Sequence, residues 1–172
     1  MNLMKALTIS IILLLTLNVF SQQPTTDYTI QEESNLVNLR EAKYAGVSFE
    51  NIINKYKGKV IYLDFWASWC RPCKNEMPYS KKMHHELKGK DVVFVYMSTD
   101  KDANTWKTSI AQLQVTGENY LINAKVWNEY NNLFKVTYIP RYVLIDKNGK
   151  VVDANAGRPS NPETVKTIMN LL

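Results

Sequence analysis

The stretch VIYLDFWASWCRPCKNEMP, residues 60–78, decides how this chain is read. Its first seven residues, Val60 to Trp66, are rich in β-branched and aromatic side chains and apolar at both alternating sets of positions. That is the pattern of a central strand covered on both faces. The second half holds the chain's two cysteines, Cys70 and Cys73, and a helix is predicted from about Cys70 to Lys88. Cys70 then stands at a helix N-terminus, where unpaired N–H groups and the helix dipole favour an anion, and so a thiolate. Arg71 adds a positive charge that acts the same way. Pro72 falls in the first turn, where no donor is needed, and stiffens the loop without breaking the helix. Cys73 lies one turn on, close enough to close a disulfide.

Other uses of two cysteines compete with a redox one. Half a zinc site needs two more ligands, and His84 and His85 are the only histidines. His84 lies roughly 16 Å along the same helix at 1.5 Å per residue, too far to share a metal with Cys73. Both histidines, flanked by lysines, read as surface residues. A purely structural disulfide across two intervening residues restrains the unfolded chain little. The strand–turn–helix setting favours a dithiol that cycles.

Working outward, Leu36 and Leu39 fall at helical spacing inside Glu32–Tyr44, which predicts a short N-terminal helix. Phe49, Ile52, Ile53 and Tyr56 form an apolar stripe, with Ser48 as its cap. Residues 91–98 read as a second buried strand, and Asp102–Leu113 as a helix with Trp106, Ile110 and Leu113 inward. Glu118–Ile122 reads as a short strand. Asn123 caps a helix to Phe134 with Val126, Trp127, Tyr130 and Phe134 inward. Residues 141–146 and 150–153 are strands joined at Asn148-Gly149, a hairpin signal. Asn161-Pro162-Glu163 starts a last helix with Val165, Ile168 and Met169 inward. Alternating β and α followed by a hairpin gives an α/β fold: a central mixed β-sheet flanked by helices on both faces.

The whole chain has 172 residues, 45% hydrophobic and 22% charged, which excludes disordered, collagen-like and multispanning classes. Lys5 is followed by an apolar run from Ala6 to Phe20 and a Val19-Phe20-Ser21 junction. That is the order of parts in a secretory signal peptide, expected at residues 1–21. Fifteen helical residues span about 22 Å, short of a bilayer core of roughly 30 Å, though an uncleaved N-terminal anchor is the alternative. No cysteine lies near the junction, which excludes a lipoprotein anchor. A periplasmic or otherwise exported chain is expected. The formal charge of +5 comes from scattered lysines without stacking aromatics, so no nucleic-acid partner is expected.

FWASWCRPCKNEMP resembles the active-site segment of the thioredoxin superfamily, and the Lys-x-Glu-Met-Pro that follows the second cysteine resembles the exported TlpA/ResA-type proteins. Tyr138-Ile139-Pro140 resembles the superfamily's cis-proline loop, and residues 145–151 its Ile-Asp-x-x-Gly-x-Val hairpin. The resemblance covers about residues 48–172 and implies a thioredoxin-like fold. It leaves 22–47 as an N-terminal extension and a central insertion around 101–134. Two positions depart from the pattern: no Gly-x-x-aliphatic hairpin precedes Phe49, and Arg141 follows the proline where Thr is common.

What the resemblance implies for function is a thiol–disulfide oxidoreductase with no cofactor or metal beyond the Cys70–Cys73 pair. Cys70 would attack and Cys73 would resolve, with Asp64 or Glu76 relaying a proton. Trp69, Arg71, Pro72, Ile139 and Pro140 would meet the substrate. Direction as a reductant of protein disulfides is expected, in cytochrome c maturation or more generally in the envelope, with a membrane electron donor of DsbD/CcdA type and a monomeric chain. The alternatives are a thiol oxidase or isomerase, and a redox-inert binding module. A peroxidase is disfavoured, because the Thr-x-x-Cys pattern is absent.

Overall fold

The computed structural model describes residues 34–172; the expected signal peptide and the start of the extension, residues 1–33, lie outside the described residues. The chain order is β1 (Ser34–Asn38), α1 (Phe49–Asn54), β2 (Val60–Trp66), α2 (Arg71–Glu86), β3 (Val92–Ser98), α3 (Ala103–Leu113), β4 (Gly117–Leu121), α4 (Ala124–Phe134), β5 (Arg141–Ile145), β6 (Val151–Asp153) and α5 (Pro162–Met169). The described strands form one sheet in the order β1-β4-β3-β2-β5-β6. The first four run parallel, and β5 and β6 are antiparallel to their neighbours. This is the mixed α/β sheet the sequence pattern called for.

Every residue of β2 is buried, as its two-sided apolar pattern requires of a strand with neighbours on both edges and helices on both faces. Alternation along β2 sorts the core. Tyr62 and Trp66 pack with Met77 and Met83 of α2, Trp106 and Ile110 of α3, and Ile168 of α5. Ile61, Leu63 and Phe65 pack with Phe49 and Ile53 of α1 and Tyr130 and Phe134 of α4. Asp64 shares the parity of Tyr62 and Trp66, so it faces α2.

Local chemistry sets the element ends. Ser48 and Asn51 form a reciprocal capping box. Asp102 and Asn123 cap α3 and α4 by accepting from Thr105 N–H at 2.7 Å and Val126 N–H at 2.9 Å. At the hairpin, Asp146 Oδ1 accepts from both Asn148 N–H and Lys150 N–H at 2.9 Å, and Gly149 takes φ +84°, which favours glycine.

The helix expected over Glu32–Tyr44 is not formed. Ser34–Asn38 is instead an edge strand in parallel register with β4, and among the described residues of that span only a 3-10 turn at Ala42–Tyr44 is helical. Ser34, Asn35, Val37 and Asn38 are all modest helix formers, and β4 offers an open row of backbone donors and acceptors. The spacing of Leu36 and Leu39 suits neither pattern uniquely. Leu39 is buried beyond the strand end, its N–H donating to Leu121 O at 2.9 Å. One inward assignment also changes. Met169 is 45% exposed, and Thr164 with Ile168 seats α5 instead. Trp127 packs partly buried against the core, edge-on to Tyr130 at 4.9 Å between ring centres.

Candidate active site

β2 ends at Trp66, and the chain turns through Ala67–Trp69 into α2. Cys70 is the N-cap residue of α2, and its Sγ accepts the Cys73 N–H at 3.2 Å. Arg71 and Pro72 fill the first helical turn. Cys70 and Cys73 are disulfide-bonded, their Cα atoms 5.3 Å apart. Cys73 is the deeper of the two, at 1% exposure against 4% for Cys70. Trp69 stands out from the surface beside them at 67% exposure, while Trp66, three residues earlier, is wholly buried. Arg71 and Pro72 are exposed.

The second approach to the cysteines is set by register. Phe65 pairs with Arg141 across β2 and β5, so Ile139 and Pro140 sit at the sheet end from which Ala67–Cys70 departs. The Ile139–Pro140 peptide is cis, Pro140 is buried, and Tyr138 is 56% exposed. Arg141 does not swing free. Its Nε donates to Ala154 O at 2.9 Å, and its guanidinium lies 5.7 Å from the centre of the Tyr138 ring. The charge is held against the loop that Pro140 ends.

Two carboxyl groups lie behind the disulfide, in different settings. Asp64 is 1% exposed, and its Oδ1 has no hydrogen-bond partner among the described residues. Burial, with a smaller push from the Glu76 charge, holds the Asp64 carboxyl well above the usual carboxylate range. Its ladder neighbours are Tyr96 on β3 and Tyr142 on β5, two phenols that burial pushes far up. Glu76 is one turn past Cys73 and 7% exposed. It is not a solvated helix acid: Ser160 donates to it from N–H and from Oγ, each at 3.0 Å, and Arg158 Nη1 lies 3.8 Å away.

Several contributors were not singled out from the sequence. Asp100, 2% exposed, accepts from Ser68 N–H at 2.9 Å, Ser68 Oγ at 2.6 Å and Ser98 Oγ at 2.7 Å. It thereby fixes the turn that presents Cys70. The available signal was its place just past the carboxyl end of an apolar strand, where α/β sheets put their working groups. Ser160 carried no signal, since it lies 84 residues from its partner Glu76. His84 corrects a surface assignment. It stacks on Phe94 at 3.6 Å and bonds Tyr96 Oη at 3.0 Å and Thr116 Oγ1 at 3.1 Å, and burial pushes its pKa down to about 4. His85 is exposed. Among the described residues no group of three or more His, Cys, Asp or Glu side chains is placed to hold a metal ion.

A family model described as thioredoxin-like matches residues 58–151, more than half of the chain. The chain belongs to the thioredoxin-like family. Within it, the chain is similar to the thiol-disulfide oxidoreductase ResA of Bacillus thuringiensis, with 28% identity over 111 residues, covering 64% of this chain and 62% of that protein. ResA of Geobacillus thermodenitrificans is 32% identical over 104 residues, covering 59% of this chain and 57% of its own. The chain thus spans about three fifths of the length of the curated relatives it matches. Among solved structures it is similar to the thioredoxin domain of a thiol-disulfide oxidoreductase from Bacteroides vulgatus, with TM-score 0.60, 25% identity, and 68% and 81% of the two chains covered. A thiol:disulfide interchange protein from Bacteroides sp. follows at TM-score 0.55 and 28% identity, covering 58% of this chain and 66% of that one. These relatives agree with the TlpA/ResA-type character of residues 66–78.

Proposed function

We propose that this thioredoxin-like chain is a thiol–disulfide oxidoreductase that cycles Cys70 and Cys73 between disulfide and dithiol, and that it works as a reductant of protein disulfides. The observation that carries the reading is the asymmetric pair at the head of α2. Cys70 caps the helix and receives its N–H, while Cys73 is sealed beneath it on the face that also holds Asp64. In the reducing direction, Cys70 thiolate attacks a substrate disulfide, forming one S–S bond and expelling one substrate thiolate. Cys73 then attacks Cys70 Sγ, the second substrate thiolate leaves, and the Cys73 proton passes to Asp64. The dithiol is oxidised by two electrons and the substrate disulfide reduced by two. Burial raises the proton affinity of the Asp64 carboxyl, which supports it as the acceptor in that transfer. Trp69, Arg71 and Pro72, next to the cysteines in the chain, and the Ile139–Pro140 backbone, at the same end of the sheet, would contact the substrate.

The wider setting belongs to the same proposal. Residues 1–21 would export the chain as a signal peptide, and no helix of the described residues is long and apolar enough to cross a membrane. In an oxidising compartment a reductant needs a membrane thiol-electron donor of DsbD/CcdA type, and its clients would be disulfide-bearing proteins, apocytochrome c among them. The test is the equilibrium reduction potential of Cys70–Cys73 in a defined thiol buffer. A value near roughly −270 mV supports a reductant, and one near roughly −120 mV replaces it with an oxidase. Trapping on a Cys73→Ser variant then names the client.

A further inference from the structure

Between β6 and α5 the chain crosses back toward α2 in a pinned loop. Ala156 N–H donates to Tyr142 O at 3.0 Å, and the Tyr62 hydroxyl donates to Gly157 O at 2.7 Å. At the other end Arg158 O accepts from Thr164 Oγ1 at 2.8 Å and Asn161 N–H at 3.0 Å. Gly157 permits this closeness, because a Cβ there would lie 2.4 Å from Thr164 Oγ1. The loop is tied to the sheet at one end and to α5 at the other. Between them it delivers two donors to one buried acceptor: Ser160 N–H to Glu76 Oε2 and Ser160 Oγ to Glu76 Oε1, each at 3.0 Å. Arg158 Nη1 stands 3.8 Å from Oε1. Glu76 rides on α2 one turn past Cys73, so the loop grips the helix that carries the deeper thiol.

We propose that Ser160, backed by Arg158, is a positioning residue for the exchange chemistry: it fixes the Glu76 carboxylate at a set distance from Asp64 and Cys73, and so sets the pH at which the Cys73 sulfur gives up and regains its proton. The inference rests on the oxidoreductase reading above. Ser160 touches neither sulfur and acts through Glu76. The groups facing this cluster are Tyr62 and Asp64 from β2, Tyr96 from β3, Tyr142 from β5, Cys73 and Glu76 from α2, and Arg158 from the loop. A carboxylate held at both oxygens keeps its charge at one place, and the Coulomb term it exerts falls as it moves away. With the hydroxyl removed, only the backbone N–H of residue 160 still holds Glu76, at Oε2, and Oε1 turns toward Arg158 and water. The field opposing ionisation of Asp64 and Cys73 weakens, and both lose protons at lower pH.

The experiment uses the full chain, reduced, with thiolate absorbance in the ultraviolet followed against pH, beside thermal melts. The Ser160→Ala variant moves the upper thiol midpoint down by about half a pH unit, roughly threefold in the ionisation constant. Glu76→Gln moves it down at least as far, and Ser160→Thr, which keeps both donors, follows the parent chain. A Ser160→Ala variant that melts earlier yet titrates like the parent overturns the proposal and leaves the loop a structural tie. Should that variant not fold, Arg158→Gln carries the test: loss of its positive charge moves the midpoint up, and an unmoved midpoint overturns the proposal. Dithiothreitol cycling of the parent separates the two levels. If the disulfide opens and re-forms, failure of the variants removes only the role of Ser160. If the parent does not cycle, both fall.

Discussion

Replacing Asp64 by Asn removes a titration while keeping the side chain's shape, and the structure fixes the sign of the result. Asp64 is 1% exposed, and its native carboxyl titrates well above the usual range because of burial and, second, the Glu76 charge. The unfolded chain releases that proton near pH 3.9. Below this value both states are protonated, and the group costs nothing. Above it the unfolded state gains by ionising while the native state does not, so stability falls with rising pH until the native carboxyl ionises too. Within that window the slope is about 1.4 kcal/mol per pH unit. The Asn variant has no such slope. Its stability minus that of the parent therefore rises by about 1.4 kcal/mol per unit, or about 3–6 °C in melting temperature for a domain of this size. Urea unfolding of both oxidised proteins at half-unit steps from pH 4 to 8 measures it. A difference that stays flat across the series refutes the assignment of Asp64 as a buried, proton-bearing acid. On the proposed mechanism the same variant should also reduce protein disulfides more slowly at neutral pH, since it removes the acceptor assigned to the Cys73 proton.

His84 works in the opposite sense: its native pKa of about 4 lies below the unfolded value near 6.5, so stability is lost as pH falls through that window. His84→Gln removes the loss, and gains about 3 kcal/mol on the parent between pH 6.5 and 4 in the same unfolding series. Asp100→Ala strips the acceptor from the Ser68 N–H and from the hydroxyls of Ser68 and Ser98. It should cost about 2–3 kcal/mol by urea unfolding and slow disulfide exchange, since the turn ahead of Cys70 loosens. Trp69→Ala removes a side chain that is 67% exposed, so stability should change by no more than about 0.5 kcal/mol. Reduction of a protein disulfide should slow several-fold while exchange with dithiothreitol keeps its rate, which comparing the two substrates reads directly.

The parts legible in the sequence are those in which one local pattern has one physical outcome. Val60–Trp66 had to be a central strand, because both of its faces are apolar. Cys70, Arg71 and Pro72 had to open a helix, because the cap, the proline and the apolar run coincide. Asn123 and Asn161 announced helix starts in the same way. The site's far partners were not legible, because they meet only through topology. Ser160 and Glu76 touch across 84 residues, and Ser68 and Asp100 across 32. Short polar segments failed for another reason. In Ser34–Asn38 no propensity dominates, and the exposed backbone of β4 decided the outcome. His84 misled because its lysine neighbours pointed outward while its own helix face turned toward Phe94.

The edge strand bears on how the protein can be handled. Arg40, just past β1, donates to the carbonyl oxygens of Ile122 at 3.0 Å and Lys101 at 2.7 Å, and also to that of Asp100. Asp100 in turn anchors Ser68, two residues before Cys70. A recombinant fragment beginning at Ser48 would therefore strip β4 of its outer partner β1 and leave that edge of Gly117–Leu121 as a bare template for self-association. It would also cut the tether that steadies the cysteine turn. Expression clones that keep residues 34–47 should yield soluble protein with an ordered redox loop, and shorter ones should be expected to aggregate.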